Sequence, residues 1–397
     1  MSPALIVLLL ALLLGLQPLT TDLYLPALPA LTSYFGAPMG QAQLTLSALV
    51  LAFGISQLAW GPLSDRYGRR PVLLVGLAAG ALAGQGCTWA SSMESLIVWR
   101  AVQGVGMGAA VVCARAIVRD LYEPAQGVRV MSRGLSGLAV IACLSAPVGG
   151  VLSETLGWRA ALQVLPLFSL LCLAVVALRY VETAPRPAER QPLAPGKLLA
   201  TWRTILGNPT FLAFSMLSGT SYAGLFTILA ASSFVYIQVL GWSKTGYGLA
   251  MLINSLAYLS GTFLCRRLLT RWGLRRTVAV AGGLSLGSGT LMAMLALGGL
   301  QAGWALLLPQ CIFMVGHGIH QPCGQSGAVG PFPQAAGAAS ALNGFLMMVL
   351  AFGVGSWLGT HMDGTVLPMV LGVWFWSALI ALCAWTLVQK HGKTGPR

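Results

Sequence analysis

Apolar residues run along most of this chain in stretches of roughly 20, each long enough to cross a hydrocarbon core of about 30 Å as an α-helix, with short polar or basic breaks between them. The pattern predicts twelve spans, over 3–34, 41–63, 71–92, 95–116, 129–151, 158–179, 210–237, 245–265, 275–297, 302–322, 336–358 and 365–388. An eleven-span alternative makes 302–322 a re-entrant segment. The longest polar stretch, 180–208, contains "ETAPRPAERQPLAPGK", whose four prolines and mixed charges are linker composition. It falls between the sixth and seventh spans and divides the chain into an N-terminal half (1–179), a cytoplasmic linker (180–208) and a C-terminal half (209–397).

An internal echo supports two related halves. "DRYGRRP" at 65–71 is answered by "TRWGLRRT" at 270–277, so that Arg66, Gly68 and Arg70 correspond to Arg271, Gly273 and Arg275. Both stretches lie between the second and third helix of their half. Repeats at matched positions in two halves are a signature of secondary transporters, whose substrates bind near the bilayer midplane. The predicted fold class is therefore all-α and integral to the membrane, with twelve transmembrane helices in two pseudo-symmetric six-helix halves.

Composition agrees, with 56% hydrophobic and 8% charged residues against about 25% charged in a soluble domain. The net charge of +14 is distributed by topology. Arg66/Arg69/Arg70, Arg119/Arg129/Arg133, Arg179 to Arg203, Arg266 to Arg276 and Lys390/Lys393/Arg397 each follow an even-numbered span, and the opposite side has Arg159 and Lys244. The positive-inside rule then puts both termini in the cytoplasm. Anionic lipid accounts for the basicity, and no nucleic-acid partner is expected. The N-terminus lacks a basic n-region and a small-x-small cleavage site, so it is expected to remain as the first helix. Eight cysteines sit singly in or beside apolar spans with no CxxC, which predicts packing residues and no disulfide.

"GPLSDRYGRRP", 61–71, resembles the loop between the second and third helices of the major facilitator superfamily almost residue for residue. Asp65 there sits past a helix end among arginines, placed for charge-assisted hydrogen bonds. The resemblance implies the major facilitator fold and a gating role for Gly61, Asp65, Arg66, Gly68, Arg69 and Arg70, with Asp65 and Arg66 helping to hold the halves together when the cytoplasmic side is closed. "VWRAVQGVGMGAAVVCARAIVRDL" (98–121) and "LSAPVGGVL" (144–152) are similar to stretches of the drug/proton antiporter branch, which adds Pro147, Gly149 and Gly150 to the conformational set. That signature usually has two residues between its proline and its glycine pair, and here Val148 stands alone. "TDLYLPALPAL" (21–31), "RAIVRDLY" (115–122), "GWRAAL" (157–162) and "GLFTILAASSFVYIQVLGWS" (224–243) narrow the resemblance to the bicyclomycin and chloramphenicol resistance (Bcr/CflA) group. In the seventh helix that group often has proline where this chain has Ser233. The resemblance implies a proton-coupled exporter of small amphiphilic drugs in the bacterial inner membrane, not an enzyme. A metabolite transporter on the same fold is the alternative reading, and a membrane-embedded enzyme or a receptor that does not transport is the competitor from a different class.

Asp22 is the one acidic residue deep in an apolar span; the other eight map to ends or loops. A charge at the centre of a helix in lipid costs about 2.5–3.5 kcal/mol on insertion scales, so such a group faces a cavity or a partner. Helix arithmetic places Asp22 about 28 Å along the first span and Arg100 about 7 Å from the outer end of the fourth, at similar depth. A nearby cation favours the ionised carboxylate and burial the protonated one, the competition that proton-coupled export requires. Pro26 removes the backbone donor for the Asp22 carbonyl, and Pro26 and Pro29 are expected to bend the helix beside it. Tyr24, Gln57, Gln103, Tyr222, Phe226, Tyr236, Asn254, Tyr258 and Asn343 are candidates to line a midplane cavity suited to an amphiphilic, partly aromatic substrate. His317, His320 and Cys323 in "HGIHQPCG" turn through about 600° between the first and the last, off any one ligand face, so no metal site is expected. No Walker loop or HExxH appears, and no cofactor is predicted. The expected partners are a small-molecule substrate, protons and the lipid bilayer, and the expected state is a monomer.

Overall fold

The computed structural model describes residues 1–184, 195–300 and 302–392, and every regular element among them is helical. The first span begins as α1 (Pro3–Asp22), where the Ser2 hydroxyl accepts from the Leu5 N–H at 3.3 Å and Pro3 occupies the first turn. Pro26 has no N–H to continue the ladder, so α1 ends at Asp22. The chain then passes through a 3₁₀ turn (Leu25–Ala27), in which the Ala27 N–H donates to the Tyr24 carbonyl at 3.0 Å, into α2 (Leu28–Phe35). The predicted single helix is thus a broken one, interrupted directly after the acid.

The first half continues as α3 (Met39–Tyr67), α4 (Arg69–Thr88), α5 (Met93–Leu121), α6 (Pro124–Thr155) and α7 (Trp158–Arg179). The predicted linker is not wholly irregular: residues 195–206 form α8 (Pro195–Leu206), with Leu199, Arg203 and Leu206 exposed and Ile205 buried. Pro185, Pro187, Glu189 and Pro192 of the predicted linker, and Lys393 and Arg397 of the last basic cluster, lie outside the described residues. The second half comprises α9 (Pro209–Ser233), α10 (Lys244–Leu297), α11 (Gly303–Val329), α12 (Ala336–His361), α13 (Leu367–Leu382) and α14 (Val388–His391). Asn208 caps α9, its side-chain oxygen accepting from Thr210 N–H at 2.9 Å and Phe211 N–H at 3.1 Å. At Ser233, where the resembled group often has proline, α9 widens instead into a π turn (Phe234–Val239). The helix departs from α geometry there without a proline.

Ten helices among the described residues are long and apolar enough to span a membrane. One of them, α10, has 54 residues, about 80 Å at 1.5 Å per residue and far more than one crossing needs. Gly273, at φ 69° and ψ 176°, breaks it into two. The twelfth span is α11, which falls outside the ten because Gln310, His317, His320, Gln321 and Gln325 lower its hydropathy. It runs unbroken from Gly303 to Val329, so the eleven-span alternative with a re-entrant 302–322 does not hold.

Contacts divide the chain into two compact units, Met1–Pro195 and Gly196–Arg397. In the first, α1 packs on α6, α5 on α3 and α4, and α4 on α7. In the second, α10 packs along α11 and on α13, while α9 meets α11, α12 and α13. The echo seen in the sequence is a backbone fact. Gly68, between α3 and α4, has φ 103° and ψ 163°, and Gly273 has φ 69° and ψ 176° at the matched position of the second unit. Both are positive-φ conformations that a side chain would strain.

Candidate functional site

The interior of the first unit is organised around Arg100, a fully buried guanidinium on α5. Its Nη1 donates to Gln103 Oε1 at 2.8 Å and its Nη2 to the Thr20 carbonyl at 3.1 Å, and its charge lies 4.1 Å from the centroid of the Tyr24 ring. The Tyr24 hydroxyl is in turn bonded to Thr45 Oγ1 of α3 at 2.6 Å. A narrow cleft lined by Thr20, Gln103, Gly106, Met107 and Ser169 adjoins this cluster. The break after α1 makes the arrangement possible: a carbonyl near the end of α1 lacks its helical donor, and Arg100 supplies one.

Asp22 does not meet Arg100 as helix arithmetic anticipated. Among the described residues its one hydrogen bond comes from the Thr21 hydroxyl at 2.8 Å, and no ion pair joins it to Arg100. The reason is angular. Thr20 and Tyr24 are one turn apart on one face, whereas Asp22, two residues from each, points about 160° away from both. It turns toward α6, close enough to Cys143 to interact with it electrostatically. Gly149 of α6 lies against the Leu23 carbonyl, so closely that a Cβ at that position would strike it. Gly149, two residues past Pro147, therefore lets α6 approach the broken backbone beside the acid.

At the α3–α4 junction Arg69 is the hub. Its Nη1 donates to Asp65 Oδ1 at 2.6 Å and Ser64 Oγ at 2.9 Å, and its Nε and Nη2 reach Asp120 Oδ2 and Oδ1 at 2.9 and 3.3 Å. This bidentate pair with Asp120 is largely excluded from solvent, the setting in which fork geometry is strong. Arg119 lies 3.4 Å from Asp65, with both side chains exposed, and contributes little. Arg66 stacks on Tyr67 at 5.7 Å. The sequence did not announce Glu182, just past α7. Its two carboxylate oxygens accept the backbone N–H groups of Arg69 and Arg70, each at 3.0 Å, and so cap α4. Arg70 Nη2 donates to the Ala177 carbonyl at 2.8 Å, which fastens the start of α4 to the end of α7. Partial burial pushes the Glu182 carboxyl up, but the N–H groups of Ala184, Arg69, Arg70 and Thr183 outweigh it and hold the group below the usual glutamate range.

The candidate cavity residues divide by unit. Tyr24 and Gln103 join the Arg100 cluster, while Gln57 is buried and reaches only the Phe53 carbonyl of its own helix, at 3.5 Å. In the second unit Tyr236 and Asn254 converge on Gln310 Oε1, at 3.2 and 3.3 Å. Gln310 was missed, although a glutamine inside an apolar span was a visible signal. Asn343 Oδ1 accepts from Ser218 at 3.1 Å, Tyr258 lies 5.5 Å ring to ring from His317, and Tyr222 and Phe226 are buried in α9. Near Gly61 a Cβ would meet open space, so nothing there demands glycine. The three potential metal ligands of α11 take separate partners. His317 Nδ1 bonds Ser221, His320 Nε2 bonds Ser285, and Cys323 Sγ meets Cys265 Sγ. The cysteines were expected as packing residues; all eight are free thiols, and these two are in contact.

These helices and their charge network define a multi-pass α-helical membrane protein of two related six-helix units. Residues 10–356 match the Major Facilitator Superfamily, and the chain belongs to that family. It is 33% identical to multidrug resistance protein D of Escherichia coli (strain K12), over 87% of this chain and 86% of that protein. It is 27% identical to a bicyclomycin resistance protein homolog of Haemophilus influenzae, over 96% and 95%. With a chloramphenicol resistance protein of Pseudomonas aeruginosa it shares 28% identity over 86% and 80%. These relatives support placing it in the bicyclomycin and chloramphenicol resistance group. Among solved structures, a D-xylose–proton symporter superposes with a TM-score of 0.74 at 18% identity, covering 99% of this chain and all of that one. The xylose transporter XylE of E. coli superposes with a TM-score of 0.76 at 16% identity, over 98% and 99%. At such identity the likeness is one of fold.

Proposed function

We propose that this protein is a drug exporter of the bacterial inner membrane that exchanges incoming protons for small amphiphilic compounds of the chloramphenicol or bicyclomycin kind by alternating access, working as a monomer with both termini in the cytoplasm. The observation that carries the reading is Asp22: the one acid deep in an apolar span stands at a break in its helix, and the opposite face of that helix meets a buried arginine that pairs with no carboxylate among the described residues. Arg100 is balanced by a carbonyl, an amide and an aromatic face, which leaves a positive charge that an anionic group can claim. Asp22 takes a proton from the outer side. It releases the proton inward when its carboxylate gains a cationic or hydrated setting. Each proton entering down the potential contributes about 2.3 kcal/mol per 100 mV, enough to drive a useful drug gradient. Tyr24 and Gln103 in one unit, and Tyr236, Asn254 and Tyr258 in the other, supply aromatic faces and amides suited to amphiphilic rings. The Arg69–Asp65–Asp120 network serves as the cytoplasmic gate.

The test is drug susceptibility and accumulation in a pump-deficient bacterial host expressing wild type or Asp22→Asn. Wild type raises resistance to chloramphenicol-like compounds, and Asp22→Asn reaches the membrane but loses export. Unchanged susceptibility across an antibiotic panel would favour the metabolite transporter, and full proton-coupled export by Asp22→Asn would remove the acid from the mechanism.

A further inference from the structure

Eight cysteines are spread through the chain, and among the described residues a single contact joins two of them: Cys265 Sγ of α10 and Cys323 Sγ of α11, 3.7 Å apart. Each side chain is 2% exposed. A disulfide needs the sulfurs at about 2.05 Å, so each must move about 0.8 Å, within reach of a small χ1 rotation. The surroundings favour the reaction at Cys265, because Arg266 follows it and a cation stabilises the thiolate that attacks. Pro322, immediately before Cys323, deprives the Gly318 carbonyl of its helical donor, so α11 has its natural bending point one residue from the thiol. Burial excludes a bulky disulfide such as oxidised glutathione, which leaves a small oxidant such as peroxide.

We propose that Cys265 and Cys323 form a peroxide-responsive dithiol site whose closure to a disulfide pins α11 to α10 beside the Pro322 bend. The Cys265 thiolate attacks one oxygen of hydrogen peroxide, the O–O bond breaks, and hydroxide leaves, giving a sulfenic acid. The Cys323 sulfur then attacks the Cys265 sulfur. The S–S bond forms, the S–O bond breaks, and the proton from Cys323 leaves with that oxygen as water. Two thiols lose two electrons in all, and one peroxide becomes two waters once the hydroxide is protonated. A dithiol reductant reverses the link by exchange.

The test uses the purified full-length protein in nanodiscs, treated with hydrogen peroxide, denatured, alkylated and mapped by mass spectrometry. Alkylatable thiols fall from eight to six, the linked peptide joins Cys265 to Cys323, and dithiothreitol restores all eight. Eight surviving thiols, or a link through any other cysteine, overturns the site. Wild-type mapping needs no variant; Cys323→Ser, where it folds, forms no link. A second arm, which rests on the exporter reading, follows export of radiolabelled chloramphenicol from proteoliposomes. Export falls several-fold with peroxide and recovers with dithiothreitol in wild type, but is unaffected in Cys323→Ser. A linked protein with undiminished export refutes the pinning. Absence of export before any peroxide refutes the exporter reading, and the thiol count still decides the site.

Discussion

Replacing Glu182 by glutamine isolates the cap that holds the α3–α4 junction. The carboxylate accepts from the N–H groups of Arg69 and Arg70 at the first turn of α4, and from those of Thr183 and Ala184 at 3.0 Å each in its own segment. Glutamine keeps the shape but has one acceptor oxygen, and its NH₂ faces a backbone donor. One capping bond is lost at about 1 kcal/mol, and the attraction of the negative charge to the helix N-terminus at about 0.3–1 kcal/mol, for a total of about 1–2 kcal/mol. The assay is thermal unfolding in detergent micelles, wild type against Glu182→Gln, across pH. The folded-state carboxyl is held below its ordinary value of 4.5, so the stabilisation is fully present above that value and is lost as pH falls through the lower folded value. The gap between the two proteins is therefore full at pH 7 and narrows only below about pH 4.5. Equal stability at pH 7, or a gap undiminished at pH 3, would refute the capping role.

Two further outcomes follow from the geometry. Arg100→Lys preserves charge but cannot bond Gln103 and the Thr20 carbonyl while lying flat on Tyr24; export activity should drop at least tenfold with the protein still folded, as read by proteoliposome transport beside size-exclusion profiles, and near-normal transport would show that charge alone suffices. Gly149→Ala drives a methyl into the Leu23 carbonyl, which should cost about 1–3 kcal/mol and lower the melting temperature; an unchanged melting temperature would mean that α6 does not need this approach.

The spans were legible because lipid demands long apolar runs with satisfied backbones, and a bend in the first span because Pro26 removes a backbone donor, although its full interruption after Asp22 was not. The correspondence of Gly68 and Gly273 was legible as a repeated motif, and their positive φ gives it a backbone reason. What could not be read were partnerships set by helix azimuth and by distant segments. Asp22 and Arg100 share a depth, but two residues of helix turn the acid away from the face that the arginine occupies. Glu182 reaches the α4 N-terminus from 113 positions along the chain, and no spacing rule connects the two. Cys265 and Cys323 meet across two helices in the same way. The polar content of α11 was visible in the sequence, and Gln310 within it is the residue on which Tyr236 and Asn254 converge.

The matched turns also show what duplication kept and what it discarded. Gly68 and Gly273 preserve the backbone, but Asp65 corresponds to Thr270 and Arg69 to Leu274, so the i,i+4 ion pair of the first unit is a hydroxyl and a methyl-bearing side chain in the second. Thr270 turns its hydroxyl back onto the Arg266 and Arg267 carbonyls of its own helix. The acids follow the same division: eight lie within Met1–Pro195, and Asp363 alone lies in the second unit. A deep carboxylate and a buried arginine can change their mutual energy by several kcal/mol when hydration changes, whereas amides, hydroxyls and aromatic rings change far less. Acids and ion pairs among the described residues are thus concentrated in the first unit, and the second, with Gln310, Asn254, Tyr236 and His317, offers neutral hydrogen bonds and ring faces. For an exporter of varied amphiphiles that division is physically economical, because neutral contacts tolerate substrates of different shape while the charges stay in the other half.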